Sequence, residues 1–151
     1  MIKILLLSIL VLLMNPVHAD SKTGLITKKS KHSVSETLDR LSNVLKKKGI
    51  KIFARISHDE NAEGVGIKLR PTELLIFGNP KLGSHFFTSK QTSGIDLPMK
   101  VLVWQDEKGQ AWLTYNDPKY IAKRHGIKDR DDTTKKMSGA LSKMTGIAVG
   151  D

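Results

Sequence analysis

The chain contains no cysteine, and that absence constrains its fold more than any other feature. No disulfide framework can staple it, no thiolate can serve as nucleophile or metal ligand, and no lipid anchor can be attached through a cysteine. The constraint matters because the N-terminus reads as an export signal. Lys3 supplies a positive charge, and Ile4 to Met14 form an apolar run broken only by Ser8. Val17-His18-Ala19 then places small residues where a signal peptidase would cut before Asp20. Eleven residues rise only about 16 Å as a helix, whereas a bilayer core takes about 20. Residues 1–19 are therefore read as a cleaved signal rather than an anchor. The expected product is one domain over 20–151, periplasmic or secreted, with no stable membrane insertion after cleavage. Without staples it must stand on an apolar core, and its length suffices for one.

Hydrophobic periodicity supplies that core. Leu25 to Thr27 mark a short strand within Gly24 to Lys29. Ser33 and Glu36 make a capping box, and Val34, Leu38, Leu41 and Leu45 recur at helical spacing until Gly49. Lys46, Lys47 and Lys48 fall in the last turn, where they complement the helix dipole. From Ile50 the pattern alternates: Ile50, Ile52, Ala54 and Ile56 on one face, Lys51, Phe53 and Arg55 on the other. The segment from His58 to Glu63 is acidic and short. Leu74 to Phe77 read as a strand covered on both faces. Asn79-Pro80 starts a short helix over Lys81 to Ser89, and residues 91–98 form a loop. Met99 to Gln105 and Gln110 to Tyr115 make a hairpin around Gly109. Asp117-Pro118 starts another helix, and Met137, Ala140, Leu141, Met144 and Ile147 stripe a last one after the charged loop Lys128 to Asp132. The order β-α-β-(α)-β-(α)-β-β-α-α predicts an α+β fold: a single, mostly antiparallel sheet of about five strands with helices packed on one face.

Charge narrows the partners. The formal balance is +10, and residues 20–51 carry nine basic groups to three acidic ones. Such an excess usually marks a nucleic-acid binder. In an exported protein, solubility or an anionic envelope surface accounts for it, and no nucleic acid is expected.

Catalytic motifs are missing. The four histidines past the signal, His32, His58, His85 and His125, never fall three or four apart, so no metal-binding pair shares a helix face. Met99, Met137 and Met144, the thioethers that could hold copper, sit on expected core faces. Neither a G-x-S-x-G elbow nor a phosphate loop occurs. No catalytic residue, metal or cofactor is assigned. What remains is positional. Asn79-Pro80-Lys81 and Asp117-Pro118-Lys119 each place a helix N-terminus after a strand, where free N–H groups can hold an anion. Arg70 adds a bidentate donor, and Tyr115 and His125 add polar contacts. The expected ligand site is thus Arg70, Asn79, Lys81, Tyr115, Asp117 and His125, although Asn79 and Asp117 can be explained as caps alone.

The runs Leu69-Arg70-Pro71-Thr72-Glu73-Leu74-Leu75-Ile76-Phe77-Gly78-Asn79-Pro80-Lys81, Asp96 to Trp104 and Tyr115-Asn116-Asp117-Pro118, with the upstream segment Ser33 to Arg55, resemble the domain-of-unknown-function 302 family. The resemblance covers nearly all of 20–151. It implies a TATA-binding-protein-like α+β fold and no established activity. The functional expectation is an exported, non-enzymatic binding or accessory module for a small anionic molecule. The alternatives are a self-associating homodimer at the cell envelope and an enzyme with an unfamiliar site around His58 or His125.

Overall fold

A computed structural model describes residues 17–20 and 22–151. The apolar run of the expected signal lies outside the described residues. The elements in chain order are β1 (Val17–Asp20), β2 (Leu25–Lys29), α1 (Val34–Lys47), β3 (Lys51–Ser57), α2 (His58–Glu63), β4 (Thr72–Gly78), α3 (Pro80–Ser89), a 3-10 turn (Gln91–Ile95), β5 (Met99–Gln105), β6 (Ala111–Asn116), α4 (Pro118–Arg124) and α5 (Asp131–Val149). The strands form one sheet in the order β1-β2-β6-β5-β4-β3, with every neighbouring pair antiparallel. The five strands expected from the pattern are all present. β1 is an addition at the edge, and a cut before Asp20 would remove all of it but that residue.

Register sorts the side chains onto two faces, because paired residues point the same way. One row runs Ile26, Tyr115, Val101, Leu75 across β2, β6, β5 and β4, and its last three members are buried. The helices cover this face. Leu38, Leu41 and Leu45 of α1 are fully buried against it, joined by Met137, Leu141, Met144 and Ala148 of α5. The opposite face carries Leu74, Ile76, Leu102 and the stacked pair Trp104 and Trp112, whose ring centroids lie 6.4 Å apart. Leu74 and Ile76 are only half-buried. The β4 run is therefore covered on one face, not both; its continuous hydrophobicity reflects apolar neighbours on the open side.

The even alternation expected for β3 fails for a physical reason. The register shifts between Ile52 and Ala54, and a residue inserted in this way reverses the facing of everything after it. Ile52 pairs with Phe77 on the core side, but Ala54 and Ile56 pair with Ile76 and Leu74 on the open side. Arg55 thereby turns toward α1. Its guanidinium donates to Glu73 at 2.6 Å, to Asp39, and to Ser35 at 3.1 Å, tying α1 to the sheet edge.

The capping box is half-formed. Ser33 Oγ accepts from the Glu36 N–H at 3.2 Å, while the Glu36 carboxylate pairs with His32 at 2.8 Å. The charged segment before the last helix is shorter than expected, because Asp131 and Asp132 already form the first turn of α5, where acidic groups suit the dipole.

Two substitutions test this packing. Leu41→Ala removes a fully buried side chain and should cost about 2–5 kcal/mol in urea unfolding. Gly139 lies inside α5, and a Cβ there meets nothing within 4 Å; Gly139→Ala should add about 1 kcal/mol through helix propensity alone.

Candidate functional site

The six expected ligand residues do not converge. β4 and β6 both run antiparallel to β5, so they run the same way and end at the same edge of the sheet. Asn79 and Asp117 leave from that edge, whereas Arg70 precedes β4 at the opposite edge, where its Nε donates to the Gln105 carbonyl at 3.1 Å. Tyr115 is 3% exposed and lies in the core beneath α5. Burial holds its phenol above the ordinary range, partly offset by a hydrogen bond with Thr145. His125 is drawn away to Asp96 at 2.6 Å and Thr92 at 3.1 Å.

The helix starts expected to cradle an anion are occupied by their own caps. In α3, Pro80 has no N–H to offer. The Lys81 N–H donates to Asn79 Oδ1 at 2.9 Å, and those of Leu82 and Gly83 donate to the Asn79 carbonyl at 3.0 and 2.9 Å. In α4, the Asp117 carboxylate takes the Lys119 N–H at 2.9 Å and would itself repel an anion. The capping explanation of Asn79 and Asp117 therefore accounts for both residues, and the anion cradle built on them is withdrawn.

What periodicity could not reveal is an apolar cavity of about 200 Å³ at the Asn79 edge. Phe77 and Met99 of the sheet, Leu82 and Phe87 of α3, and Met137, Leu141 and Met144 of α5 form its walls. The methionines thus serve as packing residues, as their spacing suggested, and they also shape an open space. Thioethers fill irregular gaps and adapt to a guest readily. Phe53, the residue at the β3 bulge, joins this lining and remains 46% exposed. The Lys51 ammonium lies 5.0 Å from its ring centroid, a cation–π distance.

The rim is basic. Lys51, Lys81, Lys136 and Lys143 are exposed and each directly adjoins a lining residue in the chain. The acid beside a lining residue is Asp96, which is engaged by Arg124 at 3.2 Å and His125 at 2.6 Å. A polar groove at the opposite edge, between Lys29 to Ser33 and Gln105 to Ala111, has its own groups paired: Lys31 Nζ donates to the Gly150 carbonyl at 2.7 Å and Gln110 Nε2 to that of Ser30 at 2.7 Å. Among the described residues no group of acids and histidines could hold a metal ion.

Two ionisable groups carry structural information. Asp106 accepts from Trp112 Nε1 at 2.8 Å and from the N–H groups of Gln110 and Lys108 at 2.9 Å each, and these donors hold its carboxyl below the ordinary range. Lys28 faces the core, 5% exposed, with Nζ donating to the Ser142 carbonyl of α5 at 2.8 Å. Burial lowers its pKa despite the favourable charge of Asp151.

The antiparallel sheet with helices on one face defines an α+β domain. The chain belongs to the family described as "Domain of unknown function DUF302", which matches residues 26–144. The crystal structure of an uncharacterized conserved DUF302 protein from Bacillus stearothermophilus superposes with a TM-score of 0.67 at 20% identity, covering 83% of this chain and 95% of that one; it shares the fold. Among curated proteins, "Fluoride-specific ion channel FluC 1" of Brucella suis biovar 1 is 40% identical over 137 residues, 90% of this chain and 54% of that protein. The protein of that name from Brucella abortus biovar 1 is likewise 40% identical, with 51% of it covered. The chain spans about half the length of these relatives. No helix among its described residues is long and apolar enough to cross a membrane.

Two outcomes check these assignments. Asn79→Ala removes the α3 cap and should cost about 1 kcal/mol in thermal or urea unfolding. For Lys28, the unfolded chain keeps a proton that the native state releases between the lowered native pKa and the ordinary 10.5. Stability contributed by this group therefore rises with pH across that window, and Lys28→Met should flatten the rise in urea unfolding followed from about pH 8 to 10.

Proposed function

We propose that this protein is an exported module that binds a small molecule with an apolar body and an anionic group. The observation that carries the reading is the open cavity of about 200 Å³ lined by Phe, Leu and Met side chains, with the Lys51 ammonium over the ring of Phe53 in that lining. An apolar cavity of about 150 Å³ already admits benzene, so a short alkyl chain or single ring fits this one in volume. Burying a carboxylate there would be costly. An amphiphile avoids the cost by keeping its head at the rim, where Lys51 and Lys81 supply the opposite charge and water remains. The anionic ligand foreseen from helix starts is retained in this altered form: lysine side chains, not backbone N–H groups, would recognise it.

Calorimetric titration with hexanoate and hexanol tests the reading, with 1-anilinonaphthalene-8-sulfonate as a fluorescent probe. Both alkyl ligands should bind, hexanoate more tightly at low salt. Ala140 lines the cavity, so Ala140→Phe should abolish binding of both. Lys51→Gln with Lys81→Gln should remove only the preference for hexanoate. Absence of binding by all three probes would overturn it.

A second reading comes from the curated relatives, whose names state a fluoride-specific ion channel and of which a segment like this chain makes up about half. On that reading the module works beside a membrane channel. Co-purification of the tagged protein with a channel from its host's envelope would support it, and recovery of the module alone after cross-linking would count against it.

A further inference from the structure

We infer that Thr92 is an activated hydroxyl, able to accept an acyl group, with His125 as its base and Asp96 as the group that orients that base. The inference is independent of the cavity. It rests on two hydrogen bonds in series: Thr92 Oγ1 to His125 Nδ1 at 3.1 Å, and His125 Nε2 to Asp96 Oδ2 at 2.6 Å. The imidazole and carboxylate are well sheltered, with side chains 8% and 12% exposed, while Thr92 is exposed to an incoming substrate.

The order of atoms decides the chemistry. A carboxylate only accepts, so Nε2 must carry the proton that Asp96 receives. With Nε2 facing Asp96, Nδ1 is the atom that faces Thr92 and the one that can take the hydroxyl proton when the ring acts as base. Arg124 donates to the other Asp96 oxygen at 3.2 Å and fixes the carboxylate's orientation. The three residues come from two places, the 3-10 turn with the residue after it and the end of α4, so only the fold assembles them.

In the reaction, Thr92 Oγ1 attacks the acyl carbon as its proton passes to His125 Nδ1. The tetrahedral adduct collapses, the bond to the leaving group breaks with its electron pair, and the imidazolium returns its proton to that group or to water. Water then attacks the acyl-threonine with His125 again as base, releasing the acid and restoring the hydroxyl. A positioned base contributes about 10²–10⁴-fold. That magnitude suits activated acyl donors, whose leaving groups are stable anions, rather than amides. The substrate class is therefore an activated ester or thioester.

The test uses the purified protein with p-nitrophenyl acetate, followed by p-nitrophenolate release and peptide mass spectrometry. One acetyl group should appear on Thr92, about 100-fold faster than on Thr92 in His125→Gln, and Thr92→Ser should keep the reaction. Asp96→Asn should slow it at unchanged KM, a result a merely structural clasp between α4 and the turn would not produce. Circular dichroism melts identify any variant that fails to fold, and Thr92→Val, at an exposed site, provides the folded negative control. Acetylation confined to lysines, or equal acetylation of Thr92 in folded His125→Gln, overturns the inference.

Discussion

The packing of α1 across the sheet is the contact on which the rest of the structure depends. Leu38, Leu41 and Leu45 are fully buried, and α1 touches β3, β4, β5 and β6. In this disulfide-free chain, α1 spans the long connection from β2, at one side of the sheet, to β3 at its far edge. Burial of each such leucine is worth about 1.5–3 kcal/mol. Arg55, bonded to Asp39 and Glu73, then ties the helix to the edge strands. α5 lies beside α1 on the same face.

The cavity follows from a mismatch within that arrangement. α5 and α3 both approach the Asn79 edge, but the sheet ends there at Gly78 and Met99, and three methionines round off the space instead of filling it. The bulge in β3 contributes to the same place. By turning Phe53 toward the cavity and Arg55 toward α1, one inserted residue serves both the ligand-sized opening and the helix-to-sheet tie. Bulges near binding sites commonly re-aim side chains in this manner.

Much of this was legible along the chain. The five strands, the helix starting after Ser33, the two Asx-Pro helix starts and the Gly109 turn all came from signals a few residues long, as did the family. The site was less legible. Asn79 and Asp117 mark helix starts in the sequence, yet a short motif cannot say whether its N–H groups are free; here Pro80 and Pro118 have none, and the caps accept those of Lys81 and Lys119. Arg70 and Asn79 are neighbours in sequence but stand at opposite ends of one strand. Tyr115 and His125 looked like contributors to one site and instead went to the core and to Asp96.

The division has a single physical origin. Helix periodicity, caps and turns are decided by interactions between residues within about one or two turns of each other, so the sequence by itself determined the elements, their order and the need for an apolar core. The strand register, the β3 bulge, the cavity and the meeting of His125 with Asp96 and Thr92, 29 and 33 residues away, depend on contacts across the sheet and between helices. Those contacts exist only once loop closure and core burial have fixed the chain in three dimensions, and no window of neighbouring residues encodes them.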